Sequence, residues 1–229
     1  MKRHSILFKT SAILSYLFLF FGLFWTTKFW SNYWEFSSWV GNLIWIRNII
    51  SLLFICLMFW ILVRSGHAYL FRIPRKKWLS YSVLTMLAAV VLISFNYLTA
   101  KHVQGTNEGW NLFIVYSETN FSEFGVYLTL IVLGPLMEEL VCRGLLQHAF
   151  FNNSRWGLDI LFPSILFALP HFSSFPSLLD LLVYTAVGCI FGYLTRYTKT
   201  IYPSYTIHII NNIIANLPFI MTFLHRVFA

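Results

Sequence analysis

From Tyr81 to Thr99 the chain reads YSVLTMLAAVVLISFNYLT, nineteen residues without a single charge. A bilayer span takes roughly 20 predominantly apolar residues, so this stretch has the length and composition of a transmembrane helix. Working outward from it, apolar runs fall at 6–26, 43–63, 78–99, 124–148, 158–175, 177–195 and 200–224. The pattern predicts an all-α fold, a polytopic transmembrane bundle of about seven to eight helices with short connections.

Composition leads to the same class. Of 229 residues, 58% are hydrophobic, 20% aromatic and only 10% charged. Mean hydropathy is +0.69. A soluble domain carries charge on about a quarter of its residues. So few charges cannot cover a water-facing surface of this size, which rules out a soluble enzyme, a disordered tail and a nucleic-acid-binding module. Residues 1–229 read as one membrane-embedded domain. The net charge of +8 comes from 16 Lys+Arg against 8 Asp+Glu. The basic residues sit in a few short connections, as membrane topology and contact with anionic membrane lipid require. No nucleic acid partner is expected.

Cys56, Cys142 and Cys189 are odd in number, lie in apolar stretches and form no Cys-x-x-Cys pair, so no disulfide framework is expected. The start, Met1-Lys2-Arg3-His4 before an apolar run, resembles a signal peptide. No small-residue cleavage site follows before Trp25, so it reads as a retained first helix.

Orientation follows from the Lys/Arg bias. Lys2, Arg3 and Lys9 mark the head, and Arg64, Arg72, Arg75, Lys76 and Lys77 the second connection. Arg155, Arg196 and Lys199 mark later ones. The alternate connections are poorer, with Lys28 beside Glu35, then Lys101 against Glu108, Glu118 and Glu123. The expectation is an integral, multi-pass membrane protein with its N-terminus in the cytoplasm. Seven spans put the C-terminus outside, where His225 and Arg226 fit poorly; an eighth segment, or a broken helix near 143–157, would change that end. Trp25, Trp30, Trp34, Trp39 and Trp45 read as an interfacial aromatic belt, or alternatively as a peptide-binding lip.

Ionisable groups inside a membrane are costly and face a protein interior or a wet cavity. The first three apolar runs contain only Lys9 and Arg47, both near ends where long side chains can snorkel, so residues 1–100 read as scaffold. The later runs carry Glu138, Glu139, Arg143, His171, Asp180, His208, Asn211, Asn212 and Asn216. Glu139 and Arg143, four apart, share a helix face and can pair. Glu138 is rotated by about 100°, which leaves it available as a general base. A structural ion-pair network locking two helices is the alternative. His208 and Asn212 also share a face. A carboxylate, two imidazoles and an amide can polarise a water and stabilise an oxyanion. The same donors, Glu138, His171 and His208, can instead hold Zn2+ with one position open. There is no His-Glu-x-x-His and no Gly-x-Ser-x-Gly. Asp180 reads as a cap of the sixth helix, and Asn211 and Asn216 as interhelical hydrogen-bond glue.

Three motifs occur in order: Glu138-Glu139-x-x-x-Arg143, Phe167-x-x-x-His171 and His208-x-x-x-Asn212, with Gly188-x-x-x-Gly192-Tyr193 before the last. Together they resemble the CAAX-protease and bacteriocin-processing family of intramembrane proteases, a family also known as abortive-infection proteins. The resemblance covers residues 124–216, the expected catalytic core. It implies a chamber inside the membrane, open toward the cytoplasmic leaflet, and hydrolysis of a peptide bond in a membrane-associated peptide or lipidated protein substrate. It further implies that Glu138 and His171 activate the water, that His208 and Asn212 stabilise the oxyanion, and that Glu139 and Arg143 support them. It leaves a metal role open. In a bacterial plasma membrane such a chain would process a peptide pheromone or bacteriocin, or confer immunity to one. The rival reading is a non-enzymatic membrane immunity or regulatory protein that binds a peptide through the same cavity. A transporter would show an inverted repeat, and none is present. At roughly 1.5 Å per residue, Glu138, His208 and His171 lie about 15, 12 and 20 Å from the basic ends of their helices, close enough in depth to share a site.

Overall fold

The computed structural model describes residues 2–25, 40–101, 119–151, 153–172 and 177–228. The side chains of Trp25, Trp30, Trp34 and Trp39 lie outside the described set, as do Lys28, Glu35, Glu108 and Glu118. The described residues contain helices and no strand. Besides two short 3₁₀ turns, the described residues form eight helices: α1 (Lys2–Leu17, continuing in π geometry over Phe18–Trp25), α2 (Val40–Arg64), α3 (Trp78–Thr99), α4 (Asn120–Ala149), α5 (Leu158–His171), α6 (Leu178–Thr198), α7 (Tyr202–Ala215) and α8 (Leu217–Phe228). An all-α membrane bundle is what the apolar runs predicted.

The division into spans differs from the run count. Among the described residues, four helical stretches are long and apolar enough to cross a bilayer: Leu43–Arg64, Arg75–Thr99, Asn120–Ala149 and Leu178–Thr198. The run 158–175 yields a shorter apolar helix ending at His171. The run 200–224 is not one helix; α7 and α8 meet at a bend of 72°. Asn216 stands between them, and Pro218, which has no N–H to continue the α7 ladder, follows in the first turn of α8. Hydropathy counts apolar residues and is blind to such a bend. No break occurs between residues 143 and 149, where α4 runs on to Ala149.

Local chemistry fixes the helix ends. Thr119 caps α4, its hydroxyl accepting from the Ser122 N–H at 3.1 Å. Ser177 and Asp180 form a reciprocal capping box at the start of α6, so Asp180 caps the sixth helix as expected. Lys199 ends α6 in the left-handed region with φ 59°.

α5 and α6 pack closely because α6 presents glycines. A Cβ on Gly188 would stand 2.9 Å from the Ser164 Cβ, and one on Gly192 would stand 3.0 Å from the Ile160 Cγ2. Small residues at such crossings let helix backbones approach. Met58, Leu62, Leu140, Leu145, Phe191, Leu194 and Ile207 are among the buried side chains of the core that α4 shares with its neighbours. α3 instead exposes Val83, Met86, Leu87 and Val90, the composition of a lipid-facing surface.

The basic connections gather at one end of the bundle. The Ile201 N–H and the Thr200 hydroxyl both donate to the Leu70 carbonyl, at 3.1 and 2.8 Å. The rings of His67 and His148 meet at 5.1 Å, and Phe8 stacks on His67 at 4.8 Å. The head, the 64–77 connection and the 196–202 turn therefore share one side.

Candidate functional site

The site is built on α4, whose backbone departs twice from α geometry, over Leu128–Leu133 and again over Leu140–Leu146. Such π stretches are frequent at functional sites. Sequence accounts for the first. The Gly134 N–H bonds back to the Thr129 carbonyl, and a Cβ on Gly134 would come within 2.9 Å of that oxygen. The next residue, Pro135, has no N–H, so the Leu130 carbonyl loses its partner in the π register. Asn212 on α7 supplies one, its Nδ2 donating to the Leu130 oxygen at 2.8 Å.

Between the two π stretches stand the acids. Glu138 is 7% exposed, and Glu139 and Arg143 are fully buried. Glu138 Oε2 lies 4.0 Å from His171 Nε2 and 3.7 Å from His208 Nε2. Glu139 turns the other way. Its Oε1 is 3.3 Å from His208 Nδ1, and its Oε2 is 3.7 Å from Arg143 Nε. An ionised carboxylate only accepts, so His208 carries its Nδ1 proton toward Glu139 and directs Nε2 at Glu138.

Arg143 is held on several sides. Its Nη2 donates to the Gly188 carbonyl at 3.1 Å, and its guanidinium lies 5.0 Å over the Phe167 ring and 5.7 Å over the Phe191 ring. Both faces are cation–π contacts. Four residues on, Gln147 repeats the pattern by donating to the Gly192 carbonyl at 3.0 Å. The two glycines thus let α6 approach α5 closely and offer backbone carbonyls to α4.

His171 sits on a 3₁₀ turn at the end of α5, with Pro170 before it. Its Nδ1 donates to the Phe167 carbonyl at 2.9 Å, which turns Nε2 toward Glu138. Its ring lies 4.9 Å from that of Tyr184 and 4.8 Å from that of Phe167. His208 stacks on Phe191 at 4.7 Å.

The structure therefore brings Glu138, Glu139, Arg143, His171 and His208 together. Asn212 lies one helical turn along α7, with its amide engaged by the α4 backbone. Asn211 accepts from Asn96 of α3, and Asn216 donates to the Asn212 carbonyl at 2.8 Å within α7. Asn211 thus joins two helices, whereas Asn216, at the junction of α7 and α8, bonds back to α7 and not to a separate helix. Gln147, Tyr184 and Phe191 were not anticipated. The i,i+4 spacing of Gln147 from Arg143 was a readable signal. The two aromatic contacts depend on how α6 is rotated.

The donor types of Glu138, His171 and His208 suit zinc. Their arrangement does not. Ligands held tetrahedrally at about 2.0–2.1 Å stand about 3.3 Å from one another, closer than the 3.7 and 4.0 Å found here. Among the described residues no group of three or more His, Cys, Asp or Glu is placed to hold a metal. What the arrangement can do is hold a water beside a buried carboxylate, since 4.0 Å is too long for a direct hydrogen bond and right for one shared water.

Comparison with known proteins bears on the same region. Residues 120–214 match the family model described as Type II CAAX prenyl endopeptidase Rce1-like. A Bacillus subtilis (strain 168) protein named "Putative membrane peptidase YdiL" is 30% identical over 81 residues, covering 35% of this chain and 32% of that protein. The match thus spans about a third of the relative's length. No solved structure matches.

Proposed function

We propose that this chain, whose residues 120–214 match the Rce1-like CAAX endopeptidase family model, is an intramembrane endopeptidase that hydrolyses a membrane-associated peptide or lipidated protein with a water activated by Glu138 and His171. The observation that carries this reading is the position of Glu138 Oε2 between two imidazole Nε2 atoms, at 4.0 and 3.7 Å. That oxygen is buried and has no hydrogen-bond partner among the described residues, which suits an atom that must take a proton.

The steps follow from these positions. A water between Glu138 and His171 gives its proton to Glu138 as its oxygen attacks the scissile carbonyl carbon. The resulting oxyanion accepts hydrogen bonds from His208 Nε2–H and from the second N–H of the Asn212 amide. A cationic His208, donating through Nδ1 to Glu139, makes the group of Glu138, Glu139, Arg143 and His208 neutral overall, which a low-dielectric site favours. When the tetrahedral intermediate collapses, the C–N bond breaks and Glu138 returns the proton to the leaving amine. No step is routed through a metal. Arg143, clamped by Gly188, Phe167 and Phe191, holds Glu139, and Glu139 holds His208.

The basic end of the bundle faces the cytoplasm of a bacterial plasma membrane in this reading, and the substrate reaches the site from that leaflet. The test is mass spectrometry of membrane-derived peptides from cells carrying the wild type or Glu138→Ala. A cleaved species that disappears in the variant supports the proposal. Identical peptide profiles, with any protective phenotype retained by the variant, would favour a binding protein.

A further inference from the structure

α8 has 12 residues and lies 72° from α7. At 1.5 Å per residue it is about 18 Å long, against a hydrocarbon core of about 30 Å. It cannot cross, and it has three distinct faces. Phe219, Ile220 and Phe223 pack against Ile44, Val126 and Tyr127 of α2 and α4. Thr222, His225 and Arg226 are exposed and polar. Leu217, Met221, Leu224 and Phe228 are exposed by 45, 58, 39 and 83%. At 100° per residue these four fall within an arc of about 60°. The bundle face and this stripe together make one broad apolar side, with the polar side opposite.

We propose that α8 lies flat in the bilayer interface at the end of the bundle away from the basic connections, with the Leu217–Met221–Leu224–Phe228 stripe against lipid acyl chains and His225 and Arg226 toward the headgroups. Three observations select lipid as the occupant. The cluster that α8 packs against continues into an exposed apolar surface, since Phe121 and Phe124, 66 and 50% exposed, both meet Trp45 of that cluster, Phe121 by stacking at 4.4 Å. The helix carries basic residues and no acid, which complements phosphate headgroups. Depth also agrees. α7 has 14 residues, about 21 Å from the basic end, which leaves α8 about 9 Å short of the far surface of a 30 Å core. Interfacial helices bury their apolar face to such a depth.

Two ties hold α8 there. Arg226 pairs with the buried Glu123 near the start of α4, whose Oε1 also accepts from the Tyr127 hydroxyl at 3.1 Å. Asn216 donates to the Asn212 carbonyl. A flat α8 would therefore fix the depth of α7, and with it the depth of His208 and Asn212. The inference rests on the membrane bundle alone and holds or fails independently of catalysis.

The test uses the full chain with Cys56 and Cys189 changed to Ala and the buried Cys142 retained, in phosphatidylcholine–phosphatidylglycerol vesicles. Nitroxide labels go singly at Leu217, Met221, Leu224, Phe228, Thr222 and His225, all exposed positions, and oxygen and nickel-chelate collision rates give depth. The expected result is one shared depth of roughly 5–10 Å below the headgroups for the four apolar positions, with Thr222 and His225 open to the chelate. A steady change of about 16 Å from Leu217 to Phe228 would make α8 part of a span. Access of the chelate to all six positions would place the helix in water, and protection of the stripe from both reagents would mean a protein covers it. Each of these three results overturns the proposal.

Discussion

His208 donates through Nδ1 to Glu139 Oε1 at 3.3 Å, joining α7 to α4 across 69 residues of sequence. The contact gives the second acid of the pair its own task. Glu138 faces two imidazoles, whereas Glu139 orients one of them and is itself balanced by Arg143 at 3.7 Å. Adjacent acids in a helix point about 100° apart, and here that rotation turns Glu138 toward two imidazoles and Glu139 toward Arg143 and the other nitrogen of His208.

Glu138→Gln preserves shape and removes the base. Cleavage should fall by at least ~10², while membrane insertion and abundance stay at wild-type levels. Activity is read on an identified peptide and abundance by immunoblot. Near-normal cleavage would remove Glu138 from the proton-transfer role.

Arg143→Ala should destabilise the fold as well as the reaction. It leaves the buried Glu139 without its cation and the Gly188 carbonyl without its donor. Loss of one partner of a buried pair costs roughly 3–5 kcal/mol. Thermal unfolding in detergent should show a large drop, partly recovered when Glu139→Gln is added, because the stranded charge is then gone. An Arg143→Ala melt equal to the wild type would mean that the guanidinium does not hold Glu139.

Gly188→Ala introduces a methyl 2.9 Å from the Ser164 Cβ. Forcing α5 and α6 apart should cost about 1–3 kcal/mol and lower activity, since Gly188 also receives the Arg143 hydrogen bond. A thermal shift assay alongside a cleavage assay tests both.

His208→Ala should reduce the rate by about 10²–10³, the range for a lost oxyanion donor. Asn212→Ala should cost stability as well as rate, because its amide also satisfies the Leu130 carbonyl. Chelators should leave the wild-type rate unchanged. Stoichiometric zinc in purified active protein, lost together with activity in His208→Ala, would instead assign the imidazoles to a metal.

Lys76→Cys should react with an impermeant maleimide only from the cytoplasmic side, and Thr119→Cys only from the other. The excess of Lys and Arg at the 64–77 connection favours the cytoplasmic side for that end. The reverse pattern would place the basic end outside.

Much of this protein is legible in its sequence, for physical reasons that act locally. The scarcity of charge forces burial in lipid, and lipid forces helices. Motifs with a four-residue period, such as Glu139 with Arg143 and His208 with Asn212, can be assigned to one helix face because the helix repeat is fixed. Pro135 and Gly134 announce a local fault in α4. Other features needed the tertiary structure. The break at Asn216 lies inside a continuous apolar run, so hydropathy passes over it, and where α8 goes after the break depends on the packing of its face against Val126 and Tyr127. Sequence spacing offers Glu139 only Arg143 as a partner, because that neighbour is close along the chain. The hydrogen bond to His208 exists because α7 crosses α4 at that level, and no local rule carries that information. The ring contact of Tyr184 with His171, and the stacking of Phe191 on His208, have the same origin. Local physics decided which side chains could share a face, and the crossing of separate helices decided which of them meet.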